Sequence, residues 1–226
     1  MWYHVCGDNM VKILFEDEHI IICEKEVGML SEDSSDAESL PKALKTQTGN
    51  EIFTLHRLDK PVGGVIMYAK SKKSAAAFSE IIANNLLEKT YLAVTDGHLK
   101  EKNGEMRDLL FKDSHKNKTF VVKRIRKGVK EAVLDYEVLQ ESDAMSFVKV
   151  KLRTGRSHQI RVQFASRKTP LTGDGKYGSH NNRCTIALWS HSLSFKHPFT
   201  NETMTVSSMP DMNIYPWSEF RTESEM

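Results

Sequence analysis

Apolar residues recur along the chain in short runs, and many of them alternate with polar residues, a period of two that predicts β-strands. Helical spacing is rarer and is clearest at 72–85, where Phe78, Ile81 and Ile82 fall on one face after a capping Ser71. Strands are predicted at 12–23, where two strands flank a turn at 17–19, and at 65–69, 88–95, 119–125, 132–140, 146–152, 185–195 and 204–208; shorter helices are predicted at 41–45 and 158–165.

Many strands combined with few helices predict an α+β fold, in which a large mixed, mainly antiparallel sheet is flanked by a few helices and loops. No internal repeat and no linker composition interrupts residues 1–226, so we expect a single domain. The order of the strands in the sheet does not follow from this pattern.

Composition adds constraints on where the protein works. Hydrophobic residues make up 39% and charged residues 27% of the chain, and no apolar run approaches the roughly 18–20 residues that span a bilayer. The first residues lack the basic and apolar regions of a signal peptide, and the three cysteines are odd in number and widely spaced. These features predict a reduced, cytoplasmic protein with no membrane association.

The net charge of +2 conceals one strongly basic segment, at 112–130. This segment contains eight lysines and arginines, among them Lys123, Arg124 and Arg126, against the single acid Asp113. Such a density of positive charge can hold the phosphates of a polyanion by Coulomb attraction and counterion release. A solvated basic hairpin is the other interpretation, and the segment alone does not decide between them.

Asp59 occupies the most informative loop of the chain. It follows Arg57 and precedes two glycines at 63–64 and a short apolar run at 65–69, which predicts a buried strand with Asp59 at its mouth. Because glycine lacks a Cβ, the backbone at 63–64 can adopt positive φ or let a ligand or another chain approach closely. On this stretch alone, an ordinary salt bridge between Asp59 and Arg57 is the alternative.

Several common kinds of active site have no motif in this chain. The sequence contains no Walker loop, G-x-G-x-x-G, H-E-x-x-H, G-x-S-x-G or C-x-x-C pattern. Ser157 and His158 are neighbours and form no dyad, because adjacent residues on a helix do not face each other. The scattered histidines predict hydrogen-bonding or core residues rather than a metal site; they are His56, His158, His191 and His197.

Five separated segments carry a resemblance to a known family. They are H-R-L-D at 56–59, K-T-Y-L-A at 89–93, R-S-H-Q-I-R at 156–161, G-D-G-K-Y-G at 173–178 and H-S-L-S-F-K-H-P at 191–198. In order and spacing, over about residues 12–207, the chain resembles the RluA family of pseudouridine synthases. The resemblance implies the pseudouridine synthase fold and isomerisation of a uridine in RNA to its C-glycoside, with no metal, ATP or organic cofactor.

The resemblance also implies roles for particular residues. Asp59 aligns with the essential aspartate, which either attacks C1′ of the target nucleotide or removes a sugar proton. Arg161 aligns with the arginine that pairs with this aspartate, and a charge-assisted pair favours the carboxylate and fixes its rotamer. Tyr91 aligns with a tyrosine that stacks on the extruded uracil and takes part in removing the C5 proton. Arg57 resembles the side chain that fills the space vacated by the flipped uridine.

Further substrate contacts are expected around these three catalytic candidates. His56 and Lys89 belong to the same segments, and Lys123, Arg124 and Arg126 are expected to hold RNA. Ile160 and Leu188 either supply apolar walls or serve only as core packing.

The chain departs from the family pattern in three places. Many relatives have T-S-G where this chain has V-G-G at 62–64, so substrate contacts by those hydroxyls cannot be carried over. K-E-V-G at 25–28 replaces the usual K-P-x-G and lacks the proline that stiffens the loop. The length of the chain also leaves no room for the small N-terminal RNA-binding domain of many relatives. We therefore expect the catalytic domain itself to grip RNA.

The sequence thus predicts a pseudouridine synthase that acts, as a monomer, on a stem-loop of ribosomal or transfer RNA. An RNA-binding or RNA-chaperone protein on the same fold, with lost or secondary catalysis, is the alternative. A hydrolase of glycosidic bonds is a third candidate, but no second carboxylate of the kind most glycosidases use is evident.

Overall fold

The computed structural model describes residues 10–34 and 37–220. In that part of the chain, eleven strands, three α-helices and two short 3₁₀ helices form the fold. The strands are β1 Ile13–Glu16, β2 Ile20–Lys25, β3 Phe53–Thr54, β4 Gly63–Ala69, β5 Glu88–Asp96, β6 Asn103–Asp113, β7 Lys118–Val122, β8 Val129–Glu141, β9 Met145–Leu152, β10 Leu188–Lys196 and β11 Thr203–Ser207; the helices are α1 Leu40–Thr48, α2 Lys72–Ala83 and α3 Gln159–Ser166, with 3₁₀ turns at Gly175–Tyr177 and Trp217–Phe220.

All eleven strands belong to one sheet, with the order β1-β2-β4-β10-β5-β9-β8-β6-β7, while β3 pairs with β4 and β11 with β10. Strands β4 and β10 run parallel, and the other described pairs are antiparallel. The prediction of an α+β fold with a mixed, mainly antiparallel sheet is therefore confirmed.

Strand β4 is the centre of the core, because all seven of its residues are buried. On one face, Met67 packs in a cluster with Phe78 of α2. On the other face, Ile66 and Tyr68 belong to a larger cluster that reaches Ile160 of α3. Burial on both faces explains why this strand has an unbroken apolar run instead of an alternating pattern.

Most predicted elements lie within a few residues of the observed ones, including the opening hairpin and the helix that Ser71 caps. The clearest miss is β6, because no strand was predicted at 103–113. This strand has no β-branched residue and five charged ones, so its sequence gives little local signal. It is a strand because β7 pairs with one of its edges and β8 with the other.

The strand predicted at 119–125 ends at Val122, where the chain leaves the sheet.

The glycine pair at the start of β4 has a structural explanation. A Cβ on Gly63 would lie 2.9 Å from Cε3 of Trp189, and one on Gly64 would lie 2.7 Å from the backbone N of Ser190. Gly64 also has φ of +109°, which side chains rarely tolerate. The sequence left open what approaches the two glycines closely, and the structure shows that it is β10 of the same chain. This contact brings the loop that carries Asp59 next to β10.

Candidate active site

Asp59 lies in the loop between β3 and β4, and backbone and side-chain contacts hold this loop on both sides of it. Ser31 Oγ donates to the carbonyl of Leu58 at 2.8 Å and accepts from the Leu58 N–H at 3.2 Å. After the aspartate, the Val62 N–H donates to the Asp59 carbonyl at 2.9 Å and closes the turn. The Asp59 side chain remains 32% exposed, so the loop is fixed while its carboxylate stays accessible.

The buried Lys25 ties this loop to the end of β2. Its Nζ donates to the carbonyls of Glu26 at 3.0 Å, Met29 at 2.8 Å and Lys60 at 3.2 Å. Burial lowers the pKa of Lys25 to about 8, although the charge of Asp59 acts in the opposite direction. The lysine of the K-E-V-G segment therefore holds the loop through main-chain carbonyls.

Arg161, in the first turn of α3, connects two carboxylates. Its Nη1 donates to Asp59 Oδ2 at 2.8 Å, while Nε and Nη2 donate to the two oxygens of Asp174 at 2.7 Å and 2.9 Å. Burial opposes the charged guanidinium, but the hydrogen bonds and charges of Asp174 and Asp59 outweigh it and raise the pKa of Arg161. The contact predicted between Arg161 and Asp59 is present, and the alternative pairing of Asp59 with Arg57 is wrong.

His158 is the second group that approaches the carboxylate. Its Nε2 lies 3.6 Å from Asp59 Oδ2, and its Nδ1 lies 2.8 Å from the hydroxyl of Tyr177. The ring of Tyr177 also stacks beneath the guanidinium of Arg161, with 5.1 Å between the guanidinium carbon and the ring centroid. The loop at 174–177 thus contacts both residues that face Asp59.

Tyr91, in the middle of β5, is a buried wall of the same site. Burial raises the pKa of its hydroxyl to about 12, with the charge of Asp59 acting in the same direction and a hydrogen bond with Ser190 against it. The hydroxyl is therefore neutral at physiological pH, and it is available as a hydrogen-bonding group instead of as a phenolate base.

Asp59, Tyr91, His158 and Arg161 line one cavity of about 1000 Å³, large enough for a nucleotide and its neighbours. His56 also lines the cavity, and its Nε2 accepts a hydrogen bond from the Met67 N–H at 3.1 Å. Burial, and to a smaller extent the charge of Lys89, lower the pKa of His56 to about 3. Burial likewise lowers the pKa of Lys89. Ile160 and Leu188 line the cavity and also belong to the core, so they are not core residues alone.

The lining is rich in cations. Beside Arg161, it contains six lysines and arginines and three carboxylates: Arg57, Lys60, Lys89, Lys112, Arg156 and Lys176 against Glu32, Asp33 and Asp59. Such a cavity favours a polyanionic ligand.

The remaining sequence candidates lie farther from the carboxylate. Arg57 lines the cavity mouth and pairs with Glu32 at 2.7 Å, with both side chains more than half exposed. Lys123, Arg124 and Arg126 are exposed in the loop between β7 and β8 and are not in the cavity lining. The structure therefore does not bring these three together with Asp59.

Sequence reasoning missed Asp174, His158 and Tyr177 as members of the site. Asp174 and Tyr177 were quoted only as letters of the G-D-G-K-Y-G segment, and His158 was interpreted as an ordinary histidine. The available signal was the recurrence of that segment and of R-S-H-Q-I-R in one family pattern. Which atoms face Asp59 required the fold.

Comparison with known proteins agrees with the fold. Residues 19–166 match the family described as RNA pseudouridylate synthase. The chain belongs to this family, and it is therefore an enzyme that isomerises uridine to pseudouridine in RNA. The predicted family, activity and RNA partner are thereby confirmed.

Individual relatives support the same assignment. The chain is 31% identical to a tRNA pseudouridine synthase C of Haemophilus influenzae, over 92% of this chain and 99% of that protein. It is also 31% identical to the RNA pseudouridine synthase YhcT of Bacillus subtilis, over 87% of this chain and 67% of that protein.

The fold is shared with the solved human RNA pseudouridylate synthase domain containing 1, with a TM-score of 0.77 and 22% identity over 95% of this chain and 89% of that one. This likeness confirms the predicted pseudouridine synthase fold.

Among the described residues, no helix is long and apolar enough to cross a bilayer.

Proposed function

We propose that Asp59 is the catalytic residue of this pseudouridine synthase and that Arg161 orients it. The observation that carries the proposal is the 2.8 Å bond from Arg161 to one oxygen of an accessible carboxylate, inside a cavity lined by cations. A charge-assisted bond to a buried guanidinium restricts the rotamers of the carboxylate and holds it in the cavity.

The reaction is an isomerisation, so its atoms must balance within the nucleotide. The bond between N1 of uracil and C1′ breaks, a bond between C5 and C1′ forms, C5 loses a proton and N1 gains one. Asp59 either attacks C1′ or removes a sugar proton, and both routes require the ionised carboxylate. Tyr91 bounds the base and offers a neutral hydroxyl near the reacting ring.

The uridine must leave its stack to reach Asp59, at a cost of about a few kcal/mol. The lysines and arginines of the lining are suited to hold the flanking phosphates and to offset part of that cost. We expect Arg57, which lines the cavity and is more than half exposed, to fill the space that the uridine leaves.

Transfer RNA is the substrate we propose, because several relatives that match this chain over most of their length are named tRNA pseudouridine synthase C. Ribosomal RNA is the competing substrate. The cytoplasmic location and the monomeric state expected from the sequence stay predictions.

Release of tritium from RNA labelled at uridine C5 tests both parts of the proposal. Bulk tRNA and bulk rRNA are assayed separately with the wild type and with Asp59→Asn, which keeps the shape of the side chain but not its charge. We expect release from tRNA, and loss of about a thousandfold or more in Asp59→Asn without loss of RNA binding.

The outcomes separate the competing functions. An active Asp59→Asn variant would exclude Asp59 as the catalyst. Tritium release from rRNA alone would show that rRNA, and not tRNA, is the substrate class. RNA binding without release from either RNA would favour the binding-protein alternative.

A further inference from the structure

His158 has an unusual backbone for a residue that begins a helix. It precedes α3 with φ of 53° and ψ of 24°, in the left-handed region that residues other than glycine seldom adopt. Its side chain makes no capping hydrogen bond to the helix. Its imidazole instead lies between Asp59 and Tyr177, which suggests that the position serves the site and not the helix end.

The hydrogen bonds around Tyr177 favour one tautomer of the imidazole. The Thr119 N–H donates to the Tyr177 hydroxyl at 2.8 Å, so the tyrosine can direct its own proton to His158 Nδ1, also at 2.8 Å. An accepting Nδ1 leaves the proton of the neutral ring on Nε2. Nε2 is the atom that faces Asp59, and the opposite tautomer would set a lone pair against the carboxylate.

The environment of the ring favours its neutral form. Burial lowers the pKa of His158, the charge of Asp59 opposes this effect, and the charges of Arg161 and Lys176 add to it. His158 Nε2 therefore makes a polar contact with Asp59 at 3.6 Å, longer than a hydrogen bond, beside the hydrogen bond from Arg161.

Arg161 and His158 approach the same carboxylate oxygen. Arg161 Nη1 donates to Oδ2 at 2.8 Å, and His158 Nε2 lies 3.6 Å from it, whereas no hydrogen bond from any described residue reaches Oδ1. We propose that His158 is a positioning residue, which acts with Arg161 to hold Oδ2 and leave Oδ1 as the reacting oxygen, and that Tyr177 fixes the required tautomer. This inference rests on the proposed catalytic role of Asp59.

A purely structural role predicts a different ranking of variants. The amide nitrogen of His158→Gln can occupy the place of Nε2 and donate to Asp59, whereas that of His158→Asn reaches only the place of Nδ1. Asparagine tolerates the left-handed backbone better than glutamine does. A donor role therefore favours Gln, and a backbone role favours Asn.

We expect His158→Asn to lower kcat about tenfold, because the polar contact with Asp59 Oδ2 is lost and such contacts tighten in the reacting complex. His158→Gln should stay within about threefold of the wild type, and both variants should keep KM for tRNA within about threefold. Single-turnover tritium release gives the chemical step, and thermal unfolding checks that each variant is folded.

Tyr177→Phe supplies a second measurement, should His158→Asn fail to fold. In the wild-type background it should lower kcat about tenfold, because the His158 ring is no longer held in the tautomer with the proton on Nε2. In the His158→Gln background it should change kcat little, because an amide has no tautomers. Equal effects in both backgrounds would overturn the proposal.

The proposal would also be overturned if Asn retained activity while Gln lost it, or if the two variants behaved alike. Failure of the proposed function gives a different result, since an inactive wild type or an active Asp59→Asn variant identifies that case before His158 is tested.

Discussion

Tyr91 offers a hydroxyl that stays protonated at physiological pH, because burial raises its pKa to about 12. A neutral hydroxyl can form a hydrogen bond with the uracil ring or with the group that accepts the C5 proton. It cannot act as a strong proton acceptor itself. The ring and the hydroxyl therefore make separable contributions, one to holding the base and the other to the reaction.

Removing only the hydroxyl should separate these contributions. We expect Tyr91→Phe to bind tRNA within about threefold of the wild type and to lose about a hundredfold or more in kcat, since a transition-state contact disappears while the ring remains. Filter binding and tritium release measure the two quantities. Tyr91→Leu is the control for the ring and should weaken both, and equal kcat for Phe and wild type would exclude a role for the hydroxyl.

At the scale of elements, the parallel contact of β4 with β10 positions the site. Gly63 lies opposite Trp189 and Gly64 opposite Ser190, and Ser190 Oγ donates to the Val65 carbonyl at 2.8 Å. The loop that carries Asp59 leads directly into this contact, so spacing between the two strands should affect both stability and activity.

Gly64→Ala should lower the free energy of unfolding by about 3 kcal/mol or more, because a Cβ would combine backbone strain with a clash against β10. The matched control is Gly49→Ala, where φ is +73° but a Cβ would meet no atom within 4 Å. The control should cost only about 1–2 kcal/mol. Urea unfolding gives both values, and equal losses would show that contact with β10 is unimportant.

Charge is distributed unevenly over the whole molecule, although the net charge is only +2. Cations line the cavity, and Lys123, Arg124 and Arg126 add an exposed group in the loop between β7 and β8. If RNA extends from the cavity across this loop, each of the three should neutralise a phosphate and release a counterion.

Replacing Lys123, Arg124 and Arg126 together by glutamine should therefore weaken tRNA binding and reduce the slope of log K against log salt by about 2–3. The control replaces Lys45, Lys72 and Lys73, which are exposed and outside the cavity lining, by glutamine. Titrations over a range of KCl concentrations measure the slopes. Identical slopes for the two triple variants would mean that RNA does not cross the basic loop specifically.

Local sequence was sufficient where an element's own residues carry the signal. The apolar run of β4, the Ser71 cap of α2 and the opening hairpin follow from such patterns. Strand β6 did not, because its charged residues are compatible with a strand only between two partners. Likewise, the glycine pair indicated that the backbone could take an unusual conformation or allow a close contact, but not that β10 makes this contact.

The sequence by itself determined the family and the type of chemistry, because spaced motifs preserve the identities of Asp59, Tyr91 and Arg161. Only the tertiary structure decided which groups meet. Asp59 and Arg161 are 102 positions apart in the chain, and the fold of the sheet brings them, and likewise His158 and Asp59, together. Contacts at such separation depend on strand order and helix placement, which local patterns do not contain.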